Sequence, residues 1–68
     1  MKEGNWILVH SSNKEYLAEM IRQMLANNGI ESLLINKKDS NYLFGEIEIY
    51  TVPDNVMKAK LLIEKFEH

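Results

Sequence analysis

The chain has 68 residues, a length that predicts one domain spanning 1–68 with a small core. It is 46% hydrophobic and 26% charged, a balance that fits a globular protein and excludes disorder. It contains no cysteine, which excludes disulfides and thiolate metal sites, and its formal charge of −2 argues against nucleic-acid binding. A core this small rarely supplies more than about 3–5 kcal/mol, so close packing or self-association is expected to help. No apolar run approaches the ~18 residues that cross a bilayer. Met1–Asn5 is polar and the run after it is short, so neither a membrane span nor a secretory leader is expected. A cytoplasmic location is the default expectation.

Trp6-Ile7-Leu8-Val9-His10-Ser11 is aromatic and β-branched and reads as a first strand. Strict alternation sends Ile7 and Val9 to one side, and Trp6, Leu8 and His10 to the other. Ser12-Asn13-Lys14-Glu15 fits a capping box with Ser12 as the N-cap. Leu17, Met20, Ile21, Met24 and Leu25 then form the apolar stripe of an amphipathic helix. Gly29 is placed to end it in the left-handed conformation, with Ile30 folding back on Leu25.

Ser32–Asn36 reads as a second strand, with Leu33 and Ile35 directed to the core and Leu34 outward. Lys37–Asn41 is polar and turn-prone, and Tyr42-Leu43-Phe44 is apolar enough to pack or pair. Gly45–Val52 alternates as a third strand, Ile47 and Ile49 inward, Glu46, Glu48 and Tyr50 outward. Pro53 breaks it and Asp54 is a plausible N-cap. Val56, Ala59, Leu62, Ile63 and Phe66 repeat at helical spacing.

Strand–helix–strand requires a crossover and parallel strands, while the shorter second connection suits an antiparallel hairpin. The simplest packing puts the third strand in the middle and both helices on one face. The expected fold is α+β, a βαββα ferredoxin-like two-layer sandwich lacking its fourth strand. Its other face would carry Trp6, Leu8, His10, Leu34, Glu46, Glu48 and Tyr50, an interaction surface more apolar than water requires. The outer edge of the first strand, where a fourth would pair, is a second place for contact.

Catalytic chemistry finds little footing. His10 has no cysteine or second internal histidine to support metal binding, and Ser11 beside it on a strand points the opposite way. Glu46 and Glu48 share a strand face about 7 Å apart, as acid–base pairs can, but a solvated strand face has the same pattern. No glycine-rich phosphate cradle is present, and no metal or cofactor is expected. The best place for a small anionic ligand is Asn36, Lys37, Lys38, Asp39, Ser40 and Tyr42. There two lysines can meet an anion and an aromatic ring can stack.

Trp6–Val9, Ala18, Ile21, Leu25, Asn28-Gly29-Ile30, Asn36, Gly45-Glu46-Ile47 and Ala59-Lys60 form a pattern along nearly the whole chain. In these residues the chain resembles the short bacterial domains called putative prokaryotic signal-transducing proteins. That resemblance implies a relative of the nitrogen-regulatory PII proteins, with a PII-like βαββα core that associates through sheets or edges. The connection at 37–44 is short beside the long nucleotide-reading loop of PII proteins. The reading is therefore a small regulatory or protein-binding module acting through an open sheet face, an edge strand or that loop. A protein partner or self-association as a homodimer or weak oligomer is expected, with neither nucleic acid nor membrane. A small-ligand sensor of the PII type is the alternative, and an enzyme is the least supported reading.

Overall fold

A computed structural model describes residues 5–37 and 46–67. It contains β1 (Ile7–Ser12), α1 (Glu15–Asn27), β2 (Ser32–Asn36), β3 (Ile47–Thr51) and α2 (Val56–Phe66) in chain order. The sheet order is β1-β3-β2, with β3 in the centre and antiparallel to both neighbours. The two flanking strands therefore run parallel to each other without touching. Among the described residues this is the α+β, ferredoxin-like βαββα arrangement without a fourth strand.

β3 holds the middle because its alternation is the cleanest in the chain. Ile47, Ile49 and Thr51 are fully buried, while Glu48 and Tyr50 between them face the other way. Ala18, Ile21 and Leu25 of α1 join Ala59 and Ile63 of α2 and Ile30 over these isoleucines. Thr51 is the one buried polar residue among those described, and its hydroxyl donates to the Glu31 carbonyl at 2.7 Å. That bond ties the end of β3 to the start of β2 and satisfies a polar group in an apolar layer.

The end of α1 follows its sequence signals closely. Gly29 has φ +78°, the Gly29 amide donates to the Ala26 carbonyl, and the Ile30 amide donates to the Leu25 carbonyl. These two bonds make a Schellman motif, and Ile30 is buried against the core. The helix starts differ from expectation. Ser12 is the last residue of β1, and its hydroxyl accepts the Lys14 amide in a turn, so the N-cap is Lys14 and no side chain caps it. Asp54 lies inside a short 3-10 turn, Pro53–Asn55, and α2 begins one residue past it.

Two face assignments are corrected by the ladder. Leu34 sits opposite Ile49 and packs on the core, whereas Leu33 and Ile35 sit opposite Tyr50 and Glu48 on the uncovered face. Asn36 follows Leu34, its amide 3.5 Å from the Glu15 carboxylate at the start of α1. Three apolar residues in a row give no polarity contrast, so the pairing with β3, not the strand's own pattern, sets its phase. In β1, Leu8 pairs with Tyr50 but His10 pairs with Ile49, leaving Val9 as the extra residue of a β-bulge. The bulge breaks the alternation, so Val9 packs on the core and His10 turns to the helix layer with it. Ile7, expected in the core, is 40% exposed at the strand's start.

Candidate functional site

Both helices cover one face of the sheet, and among the described residues the other is left to its own side chains. Leu8 from β1 and Leu33 and Ile35 from β2 are 44, 38 and 36% exposed. They surround the outward residues of β3, because Tyr50 lies opposite both Leu8 and Leu33, and Glu48 lies opposite Ile35 and Ser11. Cross-strand neighbours on one face are close enough to form a single patch.

A polar cluster crosses this patch. The Tyr50 hydroxyl donates to Glu48 Oε1, and the Lys37 ammonium lies 3.1 Å from the same oxygen. Strand alternation puts Glu48 and Tyr50 on one side, and Lys37 reaches them because its backbone extends the β2–β3 ladder, its amide donating to the Glu46 carbonyl. The Tyr50 hydroxyl first, then the Lys37 ammonium, hold the Glu48 carboxyl below the usual carboxylate range. The Glu48 carboxylate in turn raises both Lys37 and Tyr50 above their ordinary values. Such a cluster keeps its carboxylate ionised and hydrogen-bonded, a state suited to ion pairing and contact.

Of the seven residues expected on the open face, Leu8, Glu48 and Tyr50 meet there. Trp6 is half-buried just before β1, and Glu46 is exposed just before β3. His10 and Leu34 are not on this face. The His10 ring lies near the C-terminal end of α2, its Nε2 3.6 Å from the Glu67 carboxylate and itself without a hydrogen-bond partner. Leu33, Ile35 and Lys37 take the places left on the patch. No signal in the Leu-Leu-Ile run distinguishes its two faces; the pairing of Lys37 with Glu48 needed the ladder as well.

Only Asn36 and Lys37 of the expected ligand loop are described. Asn36 is at the helix side near Glu15, and Lys37 is on Glu48, so the two diverge. Lys38, Asp39, Ser40 and Tyr42, with the Leu43–Phe44 pair, lie outside the described residues. Among the described residues no three His, Asp or Glu side chains gather as a metal site, and no helix is long and apolar enough to cross a membrane. A second apolar area is the outer side of α2, a shallow open groove at Met57, Leu61 and Glu64.

The family model described as putative prokaryotic signal transducing protein matches residues 6–67. The chain belongs to that family. The match takes in every element of the sandwich and all of the open face, so the whole fold is the family's domain. No curated protein and no solved structure matches the chain at a significant level. The family's description points to signal transduction and names neither a ligand nor a partner.

Proposed function

We propose that this signal-transducing domain is a regulatory protein-binding module that takes a protein partner on its open sheet face. The observation that carries the reading is the position of Leu8, Leu33 and Ile35, a third or more exposed on a face that neither helix covers. In a domain this small, apolar area left in water forgoes stabilisation of roughly 25 cal/mol per Å². Contact recovers it. The Lys37–Glu48–Tyr50 cluster gives the same face charged and hydrogen-bonding groups with which to select a partner.

The test is capture of partners from the native cell extract by the intact protein, beside Leu33→Lys and Ile35→Lys variants shown to be folded by circular dichroism. A protein held by the wild type and lost by both variants supports the reading. Equal recovery by all three removes it. The alternative, a small-ligand sensor, rests on the 37–44 connection, of which Lys37 alone is described here. It is tested by a thermal-shift screen of nucleotides, organic acids and metal ions, since a ligand that binds only the folded state raises the melting point.

A further inference from the structure

The sheet has two outer edges, and they are not alike. β1 carries the bulge at Val9, a device that bends an edge away from foreign strands. Among the described residues, β2 carries no such protection. Its five residues, Ser-Leu-Leu-Ile-Asn, contain no proline, lysine or glutamate and pair with β3 without a register shift. The Lys37 amide donates to the Glu46 carbonyl, so the odd-numbered residues of this strand direct their backbone groups at β3. Leu34 and Ser32 therefore direct theirs at the edge.

We infer that β2 pairs antiparallel with β2 of a second copy of this chain, about a two-fold axis at Leu34, giving a continuous six-stranded sheet. The sequence around Leu34 is complementary to itself in this arrangement and in no other centred on the strand. Leu34 exchanges both backbone hydrogen bonds with the partner's Leu34. Leu33 lies beside the partner's Ile35, and Ile35 beside the partner's Leu33, so the apolar parts of the two open faces join into one stripe. One step further out, Glu31 lies opposite the partner's Lys37, and Lys37 opposite the partner's Glu31, each pair on the same face as the stripe. Both side chains belong to exposed residues. On the helix side Ser32 comes opposite the partner's Asn36. The Ser32 hydroxyl is buried without a hydrogen-bond partner, and rotation about χ1 turns it to that amide.

Opposite charges at both ends and matching apolar pairs between them select a copy of this chain over an arbitrary extended peptide. The interface is short, so the dimer is concentration-dependent. The pairing uses the backbone edge of β2 and shares Leu33, Ile35 and Lys37 with the sheet face proposed above to hold a partner; Glu31 belongs to the edge alone, so Glu31→Lys tests the pairing separately from that face.

Sedimentation equilibrium of the full chain decides it. The wild type is expected to rise from monomer to twice the monomer mass as concentration increases. Glu31→Lys and Lys37→Glu each replace two attractive pairs with two repulsive ones and shift the midpoint upward about tenfold or more. In a Glu48→Gln background, which removes the carboxylate that Lys37 meets within its own protomer, the double variant Glu31→Lys/Lys37→Glu exchanges the charges and returns the midpoint to near the value of Glu48→Gln alone. A wild type that stays monomeric up to about 1 mM overturns the proposal. Folded single variants that both dimerise as the wild type does, or a double variant as weak as the singles, overturn it as well. If a variant fails to fold, the wild type still gives the answer through isotope-filtered NMR of a mixed labelled sample. Intermolecular contacts between Leu33 and Ile35 support the pairing, and their absence from a dimer overturns it.

Discussion

Tyr50 and Glu48 stand two positions apart on β3 and share a hydrogen bond across the open face, the Tyr50 hydroxyl donating to the Glu48 carboxylate. Lys37 on the neighbouring strand completes the cluster at 3.1 Å. The three groups titrate as a linked set, and their shifts have definite signs.

Glu48 is held below the ordinary carboxylate range, chiefly by the Tyr50 hydroxyl. Its contribution to stability is complete above the unfolded-state value and fades as pH falls through the lowered folded value. Lys37 and Tyr50 are raised, so their contributions are complete below the unfolded values and fade as pH rises through the raised ones. Tyr50→Phe is expected to move the Glu48 carboxyl upward in an NMR titration, and Glu48→Gln to return Lys37 and Tyr50 towards their ordinary values. A Glu48 titration unchanged by Tyr50→Phe would contradict the assignment.

The two leucines of β2 provide the clearest test of the sheet's orientation. Leu34→Lys places an ammonium in the core and is expected to cost several kcal/mol, enough to unfold a domain of this size. Leu33→Lys places it on the uncovered face and is expected to change stability by about 0.5 kcal/mol. Urea unfolding of both variants measures the difference, and the reverse order would invert the sheet.

Gly29 has φ +78°, and a Cβ built on it meets nothing within 4 Å. The cost of Gly29→Ala is therefore backbone conformation alone, about 1–2 kcal/mol. Asn tolerates the left-handed region better than Ala, so Gly29→Asn is expected to lose less. Equal stability of the three proteins in denaturant would mean that the helix end relaxes out of the Schellman geometry.

Thr51 is fully buried and its hydroxyl bonds the Glu31 carbonyl at 2.7 Å. Thr51→Val keeps the shape and removes the donor, with an expected loss of about 1–3 kcal/mol from the unsatisfied carbonyl. Ile49→Ala, at the centre of the same layer, is expected to cost about 2–5 kcal/mol. Thermal unfolding ranks the pair; a Thr51→Val protein as stable as the wild type would show that water replaces the hydroxyl at Glu31.

The features legible in the residues alone are local and periodic. The Ile47–Ile49 alternation, the stripe of Leu17, Ile21, Met24 and Leu25 (Met20, expected in it, is 52% exposed) and the Asn28-Gly29-Ile30 stop each carry their own polarity or conformational contrast, and they yield the βαββα order and the uncovered face. The tertiary structure alone decided which residues stand on that face. Leu33, Leu34 and Ile35 are equally apolar, so only pairing with β3 chooses between them. Val9 is the extra residue of a bulge that exists only against a partner strand, and it carries His10 from the open face to the helix layer. Lys37 and Glu48 are eleven positions apart in the chain and meet because adjacent strands bring them together. Cross-strand register is a relation between segments, and no single segment contains it.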